Sequence, residues 1–542
     1  MTELPSFNGD IFPEENSTGK NMDDSDKTDT KRTWEYEVAD NILQNFPELE
    51  TYTFAAGISP SGIVHFGNFR DVMTCIPVIQ ELRRRGKETR FVFSWDDFDR
   101  LRKVPANVPE SFGQYIGLPL SAVPDPMGET ESYARHFQKE FEDSMEELGI
   151  EMEYHYQTEE YKSGRYNDLI LEAIEKRKDI AEILLSLMSE KGKEAKGISE
   201  DKYIKEYYPI TVYSRFTGKD NTKVLKCDDY NITYRCTDTG KEETIDFRET
   251  KNVKLQWKVD WPMRWKAEGV VFEPGGHDHA SPGGSFDASS RIARQVFNIK
   301  PPIFVGYEFI GLRGLDGKMS GSSGLAVSPG ELLNIYEPNL LKWLYLRKTP
   351  NQSFQLAFDT EIFRQYDEYD KNFEKDPPPI PFRQAVAFGD ILQWDEKEVF
   401  AFLERTNSQY DEDSVIERLQ KAKYWLENYN PEEMIKVRDN INEEYSSQMS
   451  EESKDMVKKL REYILENEQL DLENISSILY DIPKQGQQEV TNEIKNRQKL
   501  FFKDLYNLLV SADRGPRLAT FLCALDREKT ISLLDISEKG QK

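Results

Sequence analysis

The segment 51–95 constrains the fold of this chain more than any other. An apolar run at 51–56 is followed by the turn residues Gly57, Ser59, Pro60, Ser61 and Gly62. Apolar positions then recur at helical spacing through Val72, Ile76, Ile79 and Leu82, and a second apolar run occupies 91–95. The pattern reads as strand, turn, helix, strand, with the helix bent or interrupted near Pro77, because proline removes a helical hydrogen bond and crowds the preceding turn. Strands joined in this way lie parallel, and open parallel sheets bind ligands at the carboxyl ends of their strands. The turn at 57–62 and the acids Asp96, Asp97 and Asp99 are therefore expected to border one crevice.

With 542 residues, 38% of them hydrophobic, the chain is long enough for several cores. The predicted class is α/β: a doubly wound parallel, Rossmann-like catalytic domain with an α/β insertion, followed by an all-helical carboxy-terminal domain. Residues 1–32 are polar and acidic and read as a disordered tail. Residues 33–110 form the first half of the nucleotide-binding domain, opened by a helix at 34–46. Residues 111–253 form the insertion, with helices at 129–148 and 166–191 and short strands around 210–216 and 223–247. Residues 254–327 form the second half, with strands at 254–260 and 301–307. A helical stem at 328–375 leads through the proline-rich segment 376–381 into a helical domain spanning 376–542.

No run of about 18 apolar residues is present, so no membrane segment and a cytoplasmic location are expected. The four cysteines are too scattered for a disulfide framework. Cys227 and Cys236 stand without a second pair and cannot fill a tetrahedral zinc site alone, so no metal site is predicted. A net charge of −27 argues against nonspecific binding to a polyphosphate backbone. A local basic cluster offsets it: Arg83, Arg84, Arg85, Lys87, Arg90, Arg100, Arg102 and Lys103.

Glycine and serine before a helix let the backbone approach an anion, and the helix amino terminus adds unpaired N–H groups. Ser61, Gly62 and Gly67 are thus candidate phosphate contacts. His65 and Asn68, three residues apart at the helix start, can both donate toward a developing phosphorane. Far downstream, Lys318, Met319, Ser320, Gly321 and Ser322 form a small-residue loop carrying one cation, suited to clamping a pyrophosphate leaving group.

These residues, in this order, resemble the two signatures of class I aminoacyl-tRNA synthetases, HIGH and KMSKS. More narrowly, residues 56–73, 94–105 and 255–265, together with Arg514, Gly515, Pro516, Arg517 and Leu518, are similar to class I lysyl-tRNA synthetases, and Asn68 fits the His-Ile-Gly-Asn of that branch. The resemblance implies activation of lysine by MgATP to lysyl-adenylate, then transfer to the terminal ribose of tRNA(Lys), by a monomer using ATP and Mg2+. It implies His65, Asn68 and Lys318 as catalytic groups, and Ser61, Gly62, Gly67, Gly276, Asp278, Met319, Ser320 and Ser322 as nucleotide contacts. It also implies Gly57, Ser59, Trp257, His279 and Tyr307 as walls of the lysine pocket.

A lysine pocket needs an anion, because an unpaired buried ammonium is costly. Asp96, Asp97 and Asp99 are the nearest acids in sequence. Any of them could turn inward, and Asp97 is carried forward as the lysine-binding acid. Two departures from the family pattern stand out: Gly321 replaces the second lysine of KMSKS, and Phe66 replaces the aliphatic residue of HIGH. Two alternatives stay open: a glutamyl-type synthetase, which shares the signatures, and a non-catalytic RNA-binding or regulatory paralogue, for which Gly321 is the discriminating feature. By the same analogy, the helical domain reaches the anticodon.

Overall fold

The computed structural model describes residues 33–106, 108–189, 193, 199–314, 327–468, 470–487 and 491–536. The predicted tail at 1–32 lies outside them. The chain divides into two compact units, one of Met1–Leu333 with Pro338–Leu356, the other of Asn334–Glu337 with Ala357–Lys542.

In the first unit, helix α1 (Trp34–Asn45) leads into strand β1 (Thr51–Ile58), helix α2 (Phe69–Arg84) and strand β2 (Glu88–Trp95). Strands β1 and β2 pair in parallel without a shift, from Thr51↔Glu88 to Ile58↔Trp95. Helix α2 runs through Pro77 as one element rather than breaking there, since Phe69, Val72, Met73, Cys75, Val78, Ile79 and Leu82 are all buried. That burial outweighs the loss of one helical hydrogen bond. Helix α3 (Tyr133–Glu147), capped by Ser132, precedes strand β3 (Glu153–Tyr156), which pairs in parallel with β2.

On the other side of β1 lies the parallel strand Val270–Phe272, giving the order β3-β2-β1 and then this strand. The chain thus winds outward from β1 in one direction and returns on the opposite side, which places the topological switch point at the end of β1.

The expected strand at 254–260 is a correction. Only Val253–Leu255 is extended, antiparallel to Ile210–Val212, and the chain then enters the helix Trp257–Glu268. Trp257, Trp261 and Trp265 recur every four residues, and their rings lie 4.9 and 5.2 Å apart along one helix face. A helix lets all three indoles share that face, whereas a strand would alternate its side chains.

The expected strand at 301–307 runs beside 270–276 through Ile303 N to Val271 O (2.8 Å) and Gly275 N to Val305 O (3.2 Å). Only Gly306–Tyr307 within it forms a regular ladder, parallel to Gly275–Gly276. The predicted helix at 166–191 is divided into Asn167–Glu175 and Arg177–Ser186. In the insertion, Thr222–Asp228, Asn231–Cys236 and Glu242–Asp246 form an antiparallel sheet.

The second unit is helical from Ile362–Asn372 to Arg527–Leu533. It is pinned by Arg418, which is 1% exposed and bonds Glu337 and Asp370 at 2.6 Å and the Ile380 carbonyl at 2.7 Å. A buried guanidinium satisfied on both edges ties three distant segments of that unit together.

Candidate active site

A cleft of about 370 Å³ lies at the carboxyl end of β1, lined by Ile58, Ser59, Ser61, Gly62, His65 and Asn68 on one wall and by Asp99, Arg100, Arg102 and Lys103 on another. Of the basic cluster, these last three cations alone line it. Arg85 is paired with Asp40 and Glu81, and Arg90 with Glu153 and Glu268.

The loop between β1 and α2 is held from several sides. The Phe66 amide donates to the Val327 carbonyl at 2.8 Å, and the Tyr345 hydroxyl donates to the Phe66 carbonyl at 2.8 Å. Phe66 itself is buried, so its ring serves as an anchor for the loop. The Tyr133 hydroxyl donates to the Ser61 carbonyl at 2.9 Å.

Within this frame, Nδ1 of His65 accepts the Gly67 amide at 3.0 Å. Burial lowers the imidazole's pKa, favouring the neutral ring. A neutral ring that accepts at Nδ1 carries its proton on Nε2, so His65 offers one N–H donor. Gly67 is required here: a Cβ at that position would lie 2.8 Å from Cε1 and 2.9 Å from Nδ1 of His65. Asn68 stands at the amino-terminal cap of α2 without a capping bond from its side chain, which leaves its amide to serve the cleft.

A second, smaller recess of about 30 Å³ begins at the neighbouring residue Gly57. Its lining includes Ser94, Asp96, Trp257, Trp261, Arg264, Trp265, Glu268 and Glu273. A Cβ on Gly57 would meet the Ser94 carbonyl oxygen at 2.6 Å, so the parallel pairing of β1 and β2 excludes a side chain there. Trp257 lines this recess and stacks on Trp261, and His279, outside the lining, meets Trp261 edge-on at 5.9 Å.

Each of the three sequence-neighbour acids has a structural task. Asp96 pairs with Arg264 at 2.5 Å, and Arg264 also pairs with Asp260. Asp97 does not line the recess. Its carboxylate accepts the Thr158 amide at 2.8 Å, and burial pushes it up to about 6 against bonds from Thr158 and Gln138. Burial also works against the Asp99 carboxylate, but the adjacent Lys254 ammonium, followed by Arg102, holds it below its ordinary value.

The acids that sequence reasoning missed are Asp71 and Glu273. Asp71 lies in the first turn of α2, and the Tyr307 hydroxyl hydrogen-bonds its carboxylate. Desolvation pushes Asp71 up to about 8, opposed by Tyr307 and reinforced by the charge of Glu273. Glu273 follows the Val270–Phe272 strand and accepts the Trp265 indole N–H at 2.6 Å; burial pushes it up to about 7. Neither carboxylate has an ion pair among the described residues. Asp71 follows the His65–Asn68 motif by three residues, but nothing in the sequence sets it apart from Glu81 in the same helix.

Gly276 pairs with Tyr307 in register, and Asp278 is exposed on the short turn His277–Ala280, where its carbonyl accepts Ser281 Oγ at 2.7 Å. Lys318, Met319, Ser320 and Ser322 lie outside the described residues. Among the described residues no three His, Cys, Asp or Glu side chains gather as a metal site, and no helix is long and apolar enough to cross a membrane.

A family model described as tRNA synthetases class I (K) matches residues 32–380. The chain belongs to that family. It is similar to the lysine–tRNA ligase of Streptomyces coelicolor, with 36% identity covering 92% of this chain and 98% of that protein. Similarity to the lysine–tRNA ligase of Pyrococcus horikoshii is 34% over 92% of this chain and 99% of that protein. The lysine–tRNA ligase of Treponema pallidum is 33% identical over 93% and 98%. Class I synthetases of this family use ATP, and the cation-lined cleft beside His65 and Asn68 has the donors that a triphosphate requires.

Proposed function

We propose that this protein is a lysine–tRNA ligase, which activates lysine with MgATP and transfers it to the 3′ terminal ribose of tRNA(Lys). The observation that carries the reading is the adjacency of two sites at the end of β1. Gly57 belongs to the acidic recess, and the next residue, Ile58, belongs to the cation-lined cleft. An amino acid whose side-chain end enters the recess presents its carboxylate toward a nucleotide held in the cleft.

In the first step an oxygen of the lysine carboxylate attacks the α-phosphorus of ATP. A new O–P bond forms, the bond from the α-phosphorus to the bridging oxygen of the β-phosphate breaks, and pyrophosphate leaves with that electron pair. His65 Nε2–H and the Asn68 amide donate to the equatorial oxygens as charge builds, which is stabilisation confined to the transition state. Arg100, Arg102 and Lys103 offset the charge of the phosphates. Lys318 is assigned to the leaving group, and Ser61, Gly62, Gly67, Gly276, Asp278, Met319, Ser320 and Ser322 to nucleotide contacts. In the second step a terminal ribose hydroxyl attacks the acyl carbon and AMP departs.

For the amino acid, Gly57 and Trp257 line the recess, Ser59 lines the adjoining cleft, and His279 and Tyr307 are assigned beside them. Asp71 is outside the recess lining too, but its charge reaches Glu273, which is in it, and with Tyr307 it replaces Asp97 as the carboxylate for the side-chain ammonium, because Asp97 is committed to Thr158. A glutamate substrate is disfavoured by charge. Arg264 is the base lining the recess, and it is already shared by Asp96 and Asp260. The proposal includes a cytoplasmic monomer, with the helical second unit serving the tRNA anticodon.

Incubation of the purified chain with labelled lysine, MgATP and tRNA(Lys) tests the reading. Label is expected on the 3′ ribose, sensitive to periodate treatment of the tRNA beforehand. Absence of charging with lysine, alongside charging with another amino acid, would overturn it.

A further inference from the structure

We propose that Tyr345 is a positioning residue for His65, acting through the peptide unit between Phe66 and Gly67. The inference rests on the reading of His65 as a donor to the reacting phosphate and names the group that sets that donor.

A trans peptide unit is planar, with its C=O and N–H pointing to opposite sides. In the unit between Phe66 and Gly67 both ends are engaged. The Tyr345 hydroxyl donates to the Phe66 carbonyl at 2.8 Å, and on the far side the Gly67 amide donates to Nδ1 of His65 at 3.0 Å. The bonds form one relay, from phenol to carbonyl and from amide to imidazole. Holding the carbonyl fixes the direction in which the Gly67 N–H points. Donation to that carbonyl also polarises the unit and strengthens its N–H as a donor. The Phe66 amide, bonded to the Val327 carbonyl at 2.8 Å, holds the preceding peptide unit, so the backbone is fixed on both sides of Phe66.

Tyr345 can set a direction because it is itself held. It is buried near the end of the helix Pro338–Leu346, and its ring meets Phe69 at 4.9 Å and Phe354 at 5.3 Å, both edge-on. Early in α2, the Arg70 guanidinium lies 5.1 Å from the centroid of the same Phe354 ring. Its Nη2 donates to the carbonyls of Thr349, Pro350 and Gln352 at 3.2, 3.1 and 3.0 Å. The start of α2 is thereby tied to the segment that carries Tyr345 by charge-assisted bonds as well as by rings. Tyr345 does not line the cleft, so its effect on the reaction passes through His65.

The test is Tyr345→Phe, which keeps the ring contacts and removes the hydroxyl. In lysine-dependent exchange of pyrophosphate into ATP, kcat is expected to fall roughly 5- to 30-fold, with KM for lysine and for ATP within about threefold. In protein labelled with nitrogen-15 histidine, the His65 signal, identified by its loss in His65→Ala, should show a single Nε2–H tautomer in the wild type and a mixture of tautomers in Tyr345→Phe. Introduced into His65→Ala, Tyr345→Phe should change kcat by less than about twofold, because the relay has lost its end point. An unchanged kcat or an unmoved His65 signal would overturn the proposal. An equal loss of kcat in the His65→Ala background would overturn it too, and would leave Tyr345 a packing role only. Phe354→Leu keeps the hydroxyl but removes one of the rings that hold it, and should lower kcat by a smaller factor; it decides the matter on the same criteria if Tyr345→Phe does not fold. Wild-type exchange that ignores lysine would refute the functional reading itself, and the His65 signal would still decide whether Tyr345 sets the ring.

Discussion

The Gly67 amide donates to Nδ1 of His65 at 3.0 Å, and this one bond fixes which imidazole nitrogen carries the proton. The histidine therefore enters the reaction as a donor. His65→Ala is expected to lower kcat for pyrophosphate exchange by ~10²-fold or more while leaving lysine affinity within a few-fold, because the lost bond strengthens only as charge develops. Steady-state exchange kinetics check it, and a rise in lysine KM with kcat preserved would show that His65 acts in binding.

Gly67→Ala should act through the same ring. The added methyl would lie 2.8 to 2.9 Å from the imidazole and must displace it. A kcat loss of ~10-fold or more is expected with little change in thermal stability, since Gly67 lies outside the buried core. Activity equal to wild type would show that the His65 orientation is not needed.

Lysine binding should depend on pH in a direction set by Asp71. Its carboxyl is pushed up to about 8, and only the ionised form pairs with an ammonium. Lysine affinity is therefore expected to rise as pH increases from 6 toward 8, by up to ~10-fold per unit while one proton is released, and to level off above. Asp71→Asn should bind lysine weakly with a flat profile. The same raised value means that the ligand-free protein loses stability as pH rises from the unfolded value, about 4, toward 8. Asp71→Asn should remove that loss, which thermal melts across the range will detect.

Arg264→Leu removes the guanidinium that pairs with both Asp96 and Asp260. Breaking a buried pair on one side typically costs about 3–5 kcal/mol. The variant is expected to unfold at clearly lower denaturant concentration, and addition of Asp96→Asn should recover part of the loss. Unaltered stability of the single variant would contradict the buried network.

Much of the sheet was legible because local pattern and tertiary role agree in it. The 51–95 unit combines period, turn chemistry and flanking strands, and Gly57 is needed for close approach in the parallel pairing it suggested. The 254–260 segment misled because its apolar residues alternate over a short window. The indole spacing that decides for a helix becomes visible only when the window extends to Trp265.

The acids were misread for a different reason. Asp97 is near the motif in sequence but its carboxylate serves Thr158, whereas Asp71 and Glu273 meet only because α2 and the strand at 270–272 flank β1 from separate parts of the chain. Proximity of that kind has no one-dimensional signature. The same holds for Arg264, whose pairing with Asp96 makes an acid that looks available in sequence unavailable in the fold.

Amino-acid-dependent exchange of pyrophosphate into ATP, run on the purified chain with lysine, arginine and glutamate, with and without tRNA(Lys), bears most directly on the assignment of the two adjoining sites. Lysine is expected to support exchange at a rate at least ~10²-fold above arginine or glutamate, as a recess with uncompensated carboxylates requires. Exchange supported by glutamate but not by lysine would contradict it.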